Sequence, residues 1–165
     1  MTHQTVWILD FGSQYTQLIA RRVREEGVYC QIMPCTDSAP SQFPDELVGL
    51  ILSGGPASVL GEDAPAFDEG WFAIDRPILG VCYGMQLMTH SQGGEVGRGS
   101  SREYGPAQID LSGSSCRIFE DFSRTESHKV WMSHGDHVAK PPPGFTVAAR
   151  SSKGVIAAIA NETKR

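Results

Sequence analysis

The sequence has no long hydrophobic run, and no stretch of its 165 residues approaches the ~20 consecutive apolar residues of a membrane-spanning helix. It has no basic tract either, and its net charge of -5 with a pI near 5.5 argues against nucleic acid as the main partner. The first residues lead directly into an apolar run, without the pattern of a secretory signal. We therefore expect a cytoplasmic protein that binds neither membranes nor nucleic acid.

Cysteine is scarce, with four residues in the chain, and none of them forms a CxxC pair. This number and spacing exclude a dense disulfide framework and are typical of a reducing compartment. Cys30 and Cys35 could act as metal ligands, but no second pair of ligands accompanies them, so we predict no metal site.

Short apolar runs alternate with helical patterns in the first half of the chain, which predicts an α/β fold with an open, mostly parallel sheet and helices on both faces. After Gly93 the pattern changes to strands with little helix between them, which predicts a small antiparallel extension within one domain spanning 1–165. The predicted strands cover 6–9, 28–33, 48–52, 78–81, 106–111, 130–132, 145–150 and 155–160, and the predicted helices cover 15–26, 66–74 and a segment from about 83.

Segment 80–84 reads GVCYG and follows an apolar run, which is the spacing of a nucleophile elbow with Cys82 at its apex. Its glycines allow a sharp turn from strand to helix, so the sulfur is expected at a helix N-terminus, where the dipole favours a thiolate. The backbone N–H of Tyr83 would then point to a developing oxyanion. The alternative is a buried structural cysteine in a glycine-rich turn.

Two further segments carry polar chemistry. The loop 53–58, SGGPAS, follows a predicted strand and could bind an anion, with the N–H of Gly55 as a second oxyanion donor. It lacks the Gly-Lys-Ser/Thr ending of a phosphate-binding loop. Segment 132–137, MSHGDH, is open to three interpretations: a metal site using His134 and His137, a Cys82–His134–Asp136 arrangement, or a polar loop that shapes a pocket.

Together these segments resemble the class I glutamine amidotransferases. The broad signs are 53–56 (SGGP), 80–86 (GVCYGMQ) and 131–136 (WMSHGD). The narrower signs are similar to the amidotransferase domains of GMP synthetases, which convert XMP to GMP. They are 9–15 (LDFGSQY) with 21–25 (RRVRE), 82–86 (CYGMQ) and 102–105 (REYG).

The resemblance implies a flavodoxin-like fold and hydrolysis of glutamine through a cysteine thioester, which supplies ammonia. It assigns the nucleophile to Cys82, the oxyanion hole to Gly55 and Tyr83, and glutamine binding to Gln86, Ser133, Gly135 and Asp136. It implies no cofactor in this domain, and ATP and Mg in a synthetase domain, the ATP-pyrophosphatase, which uses the ammonia. That partner domain belongs to the same polypeptide or to a second subunit, and the full-length enzyme is expected to be a homodimer.

The family's activating histidine and glutamate lie in a Phe-His-Pro-Glu segment, and no His-x-Glu occurs in these 165 residues. We therefore expect a domain truncated before its last strand, poorly active alone, with 155–160 left as an unpaired edge. The alternatives are a non-catalytic glutamine-binding or regulatory module, an amidotransferase serving anthranilate or carbamoyl phosphate synthesis, or another cysteine hydrolase of flavodoxin-like fold.

Overall fold

The computed structural model describes residues 3–111 and 116–163, apart from the side chains of 99–104 and of His134. The chain forms two compact units, and the second begins at Thr89. No helix in the described part of the chain is long and apolar enough to cross a membrane. The elements are β1 (Thr5–Asp10), α1 (Thr16–Glu25), β2 (Tyr29–Pro34), β3 (Leu47–Leu52), a 3-10 helix (Glu69–Ala73), β4 (Ile78–Gly80), α2 (Tyr83–Ser91), β5 (Glu95–Asp110), a second 3-10 helix (Arg117–Phe119), β6 (His128–Lys140), β7 (Thr146–Ser151) and β8 (Ile156–Ala160).

The first unit contains a four-stranded parallel sheet in the order β2-β1-β3-β4. Its central strands β1 and β3 are almost continuously apolar, as expected for strands covered on both faces. Because all four strands run in the same direction, the segments that follow β1, β3 and β4 leave the sheet at one edge. The glycine loop 53–58 follows β3 and the segment around Cys82 follows β4, so both lie at this edge.

One face of this sheet is covered by α1. Ala20 of the helix packs with Ile8, Cys30 and Ile51 of three adjacent strands, and all four side chains are buried. The opposite side of α1 carries arginines, so the helix is amphipathic. Burying each large aliphatic side chain contributes about 1.5–3 kcal/mol, which makes this contact the main reason for the helix to dock.

The other face is covered by the 3-10 helix, where a longer α-helix over 66–74 was predicted. Asp68 caps its N-terminus by accepting from the N–H of Gly70 at 2.9 Å. Trp71 is fully buried, its ring lies edge-on to Trp7 at 6.0 Å, and its Nε1 donates to the carbonyl of Asp37 at 3.0 Å. Because Trp7 and Ile8 are consecutive in β1, they point to opposite faces. The parallel α/β architecture predicted for this region is confirmed.

The second unit is a closed antiparallel barrel in the order β5-β6-β8-β7. The change to antiparallel structure was predicted, but its extent was underestimated, since β5 has 16 residues and β6 has 13. Both strands contain polar residues and glycines, so their sequence lacks a continuous apolar pattern. One face of an antiparallel pair need not be apolar. A cluster around Ile109, Leu111 and Ala149 forms part of the barrel core.

The expectation that 155–160 forms an unpaired edge is wrong. Strand β8 lies between β6 and β7, with Ile156 opposite Val138 of β6 and Ala160 opposite Thr146 of β7. The edge of β8 away from β7 is therefore paired with β6 at Ile156.

Candidate active site

Cys82 stands at the apex of a sharp turn between β4 and α2. Its φ of +53° is the only positive φ at a non-glycine residue within the described ranges. The N–H of Val81 donates to the carbonyl of Leu52 at 2.9 Å, and the N–H of Gly84 donates back to Val81 at 3.0 Å. A side chain in the left-handed region costs about 1–2 kcal/mol, and this turn holds it there through the bonds on either side. The predicted elbow is thus present in the backbone.

The two glycines of the elbow are required by close backbone approaches. A Cβ at Gly84 would collide with the carbonyl oxygen of Leu52 and would lie 2.7 Å from the Leu52 Cβ. A Cβ at Gly80 would lie 2.7 Å from the backbone of Gly84. Strand β4, α2 and the end of β3 can therefore meet at this point only because both positions lack a side chain.

The glycine loop after β3 lies directly beside Cys82, the predicted nucleophile. A Cβ built at Gly54 would be 3.5 Å from the Cβ of Cys82 and 3.4 Å from the Oγ of Ser13. At Gly55 a Cβ would meet the carbonyl oxygen of Phe11 at 2.5 Å, so this position also admits only glycine. The loop is held between the elbow and the segment after β1, and Gly55, the predicted oxyanion donor, is one residue from the contact with Cys82.

Burial raises the pKa of the Cys82 thiol above its ordinary value, and a hydrogen bond from the Tyr83 backbone N–H lowers it by less. The predicted effect of the helix N-terminus, which favours a thiolate, has the expected sign in the Tyr83 N–H bond, but the net shift of the Cys82 pKa is upward. The N–H contribution exists, but desolvation of the negative sulfur outweighs it. The surroundings of the sulfur within the described residues therefore favour the thiol over the thiolate.

The first turn of α2 carries Tyr83 and Gln86. The Tyr83 side chain is 1% exposed, and its ring lies 5.1 Å from that of Phe11. Burial raises the pKa of the Tyr83 phenol, and the nearby Cys35 and Asp63 raise it further. Gln86 is also buried, and its N–H donates to the carbonyl of Cys82 at 3.1 Å. The Tyr83 side chain thus holds the helix start by packing, while its backbone N–H remains beside the sulfur.

The remaining predicted site residues, Ser133, Gly135 and Asp136, lie on β6 of the second unit. They are part of a strand rather than of the polar loop considered above, and Ser133 pairs with Tyr104 of β5. The side chain of His134 lies outside the described residues, so the Cys82–His134–Asp136 hypothesis stays a prediction. Among the described residues, no three His, Cys, Asp or Glu side chains are grouped as metal ligands would be.

The sequence reasoning missed the role of Asp10, which ends β1. Its Oδ1 accepts from the N–H of Gly12 at 2.9 Å and from the hydroxyl of Thr16 at 2.7 Å, and Thr16 is buried in the first turn of α1. These bonds fix the segment that contacts Gly54 and Gly55. An Asp followed two residues later by Gly is an Asx-turn signal that could have identified it.

Comparison with known proteins agrees with this geometry. The family model "Glutamine amidotransferase class-I" matches residues 7–165. Curated relatives named GMP synthase (glutamine-hydrolysing) include that of Oleidesulfovibrio alaskensis, 49% identical over 97% of this chain, and that of Wolinella succinogenes, 51% identical over 95% of it. The chain spans only 31% and 30% of the length of these relatives.

Among solved structures, a putative GMP synthase component from Thermoplasma acidophilum aligns with a TM-score of 0.82 and 26% identity. The alignment covers 99% of this chain and 81% of that one. The fold, the cysteine elbow and the family match over nearly the whole sequence lead to one conclusion: the chain belongs to the class-I glutamine amidotransferase family.

Proposed function

We propose that this chain is the glutamine-hydrolysing domain of a GMP synthetase. The observation that carries the proposal is the position of Cys82 at a left-handed elbow, with Gly54 packed against it and the Tyr83 N–H beside its sulfur. A strained, glycine-enclosed cysteine of this kind suits a nucleophile better than a packing role, because a structural cysteine gains nothing from the strain.

In the proposed reaction the Cys82 sulfur attacks the carboxamide carbon of glutamine, and the carbonyl electrons move to oxygen. The N–H groups of Gly55 and Tyr83 stabilise that oxyanion. Collapse breaks the C–N bond, the nitrogen takes up a proton and leaves as ammonia, and a glutamyl thioester remains. Water then attacks the thioester, releasing glutamate and restoring the thiol. We assign binding of the glutamine to Gln86, Ser133, Gly135 and Asp136.

Both steps need a group that accepts and returns a proton: desolvation raises the pKa of the Cys82 thiol, whose proton must be removed for the attack, and the water that cleaves the thioester must also lose a proton. His3, the histidine of the first unit, precedes β1 and so lies at the edge of the sheet opposite the elbow. We propose that the proton acceptor is a histidine outside the described residues, held by a carboxylate, as the family resemblance implies.

The wider reaction is inferred from the relatives named GMP synthase. We propose that the ammonia aminates XMP in an ATP-pyrophosphatase domain, of the same polypeptide or of a separate partner chain, and that ATP and Mg act in that domain and not here. The full-length enzyme is proposed to be a homodimer in the cytoplasm. The identity of about 50% with these relatives supports this assignment over anthranilate or carbamoyl phosphate synthesis.

The test is ammonia release from glutamine by the complete polypeptide or complex in which this chain occurs. Labelling with diazo-oxo-norleucine, an electrophilic glutamine analogue, is measured in parallel. Cys82→Ala is expected to reduce turnover on the order of 10⁴–10⁶-fold and to abolish labelling. Cys116 is a buried thiol in the second unit, and Cys116→Ala is the matched control. This variant is expected to keep both turnover and labelling. Glutamine binding without ammonia release in the unmodified protein would instead support a non-catalytic binding module.

A further inference from the structure

Ser53 is a fully buried polar residue at the point where β3 passes into the glycine loop. Its hydroxyl accepts a hydrogen bond from the N–H of Phe11 at 3.0 Å and donates one to the carbonyl of Gly54 at 2.9 Å. Because the N–H of Phe11 can only donate, the single hydroxyl proton of Ser53 is available for Gly54. The direction of both bonds is therefore determined by the partners.

The carbonyl that Ser53 holds belongs to the same peptide unit as the N–H of Gly55. No cis peptide bond occurs in the described part of the chain, so this unit is planar and trans. In a trans peptide the C=O and N–H point in opposite directions. A hydroxyl that anchors the Gly54 oxygen on one side therefore fixes the Gly55 N–H to point away on the other.

Such an anchor is needed because glycine provides little restraint of its own. Gly54 and Gly55 are consecutive, and glycine reaches both positive and negative φ at little cost, so the peptide between them could rotate. The backbone of Ser53 is itself fixed: its N–H donates to Leu9 at 3.0 Å and its carbonyl accepts from Gly84 at 3.1 Å. Ser53 thus connects the end of β1, the glycine loop and the elbow.

From these contacts we infer that Ser53 is a positioning residue, whose hydroxyl sets the direction of the Gly55 N–H toward the oxyanion formed at Cys82. The inference rests on the proposed glutamine hydrolysis. It assigns Ser53 no contact with substrate. Its effect is transmitted through one peptide plane to the Gly55 N–H. That N–H stabilises the transition state more than the bound substrate, because the oxyanion develops only as the sulfur attacks.

The test uses the complete glutamine-hydrolysing protein and compares Ser53→Ala with Ser58→Ala. Ser58 lies in the same loop, and its hydroxyl accepts from the N–H of Leu60 at 3.1 Å, so Ser58→Ala removes a serine hydroxyl from the loop while the Ser53 hydroxyl that donates to the Gly54 carbonyl is kept. Ser53→Ala is expected to lower kcat for glutamine about 10–100-fold with KM changed less than about threefold. Losing a whole oxyanion donor costs about 10²–10³-fold. Ser58→Ala is expected to stay within about twofold of the unmodified protein.

A second measurement separates positioning from general disruption. Alkylation of Cys82 by iodoacetamide is a displacement at carbon that forms no oxyanion, so its rate should change less than about twofold in Ser53→Ala. Ser53→Thr, which keeps the hydroxyl, should recover at least half of the lost kcat if the added methyl group is accommodated. If the methyl group is not accommodated, Ser53→Cys replaces Ser53→Thr in this test. Cysteine is nearly the same size as serine but a weaker donor, so the kcat of Ser53→Cys should fall between those of the unmodified protein and Ser53→Ala.

An unchanged kcat in Ser53→Ala would overturn the inference, as would an equal fall in alkylation and turnover. Either result, in a protein that still releases ammonia from glutamine, leaves the proposed function intact. Absence of glutamine hydrolysis in the unmodified protein would overturn the proposed function and this inference with it, so the two failures are distinguishable.

Discussion

The N–H of Gly84 donates to the carbonyl of Ser53 at 3.1 Å, and this bond joins the start of α2 to the glycine loop after β3. Ser53 follows β3 and Gly84 lies in the helix that follows β4, 31 positions further along the sequence. Their contact explains why the predicted nucleophile and the predicted oxyanion donors lie together: the elbow is hydrogen-bonded to the loop that contains Gly55.

Gly84→Ala is expected to destabilise the first unit by about 3 kcal/mol. A Cβ at this position would collide with the backbone of Leu52, which cannot move without disturbing β3. Urea denaturation followed by circular dichroism measures the free energy of unfolding. Gly49→Ala is the control, because a Cβ there would lie 3.6 Å from the nearest atom, an ordinary contact. Equal effects at both positions would contradict the close approach.

Alkylation of Cys82 in this chain alone should keep rising with pH beyond the ~8.5 of a free thiol, because burial raises its pKa. The rate of iodoacetamide incorporation at Cys82, followed by mass spectrometry between pH 6 and about 10, measures this, with a small-molecule thiol as reference. If the alkylation rate of Cys82 stopped rising at a lower pH than that of the reference thiol, the burial argument would be contradicted. In the complete protein the apparent pKa should fall if a histidine from elsewhere accepts the proton.

The same shift has a consequence for stability. A folded-state pKa above the unfolded value means that the native protein holds this proton more tightly. The stabilising contribution is then fully present below the unfolded pKa and is lost as pH rises through the folded one. Cys82→Ala should therefore lose less stability than the unmodified chain between pH 8 and about 10. An identical pH profile for the two proteins would show that the proton is not held in this way.

Trp71→Phe should lower the free energy of unfolding by about 2 kcal/mol. The change removes buried volume and leaves the carbonyl of Asp37 without its donor. Trp131→Phe, at a residue 72% exposed, is the matched control and should change stability by less than about 0.5 kcal/mol. Tryptophan fluorescence reports the same contrast, since only the Trp71 variant should lose blue-shifted emission. If Trp71→Phe left the free energy of unfolding unchanged, the packing described for this face would be contradicted.

Thr16→Val should cost about 1–2 kcal/mol, because the buried hydroxyl that donates to Asp10 is replaced by a methyl group. Thr146→Val is the control: its hydroxyl is exposed and donates to Ala160 over a longer 3.4 Å. Thermal unfolding of both variants makes the comparison. If the proposed function is correct, Thr16→Val should also lower kcat, since Asp10 and Thr16 hold the segment behind Gly55.

The local chemistry of this protein is readable in its sequence. The spacing GVCYG requires a sharp turn, the alternation of apolar runs requires a parallel α/β sheet, and both are present in the first unit. Local sequence also predicted a helix from about residue 83, and α2 begins at Tyr83.

Only the tertiary structure decided the rest. The net direction of the Cys82 pKa depends on desolvation in the folded chain, which outweighs the local effect of the helix N-terminus. The pairing of β8 with both β6 and β7 depends on barrel closure, which no local pattern encodes. The bond from the Phe11 N–H to the Ser53 hydroxyl arises because parallel strands bring their carboxyl ends to one edge. Periodicity and spacing determine local geometry, whereas burial and long-range hydrogen bonding depend on which segments meet.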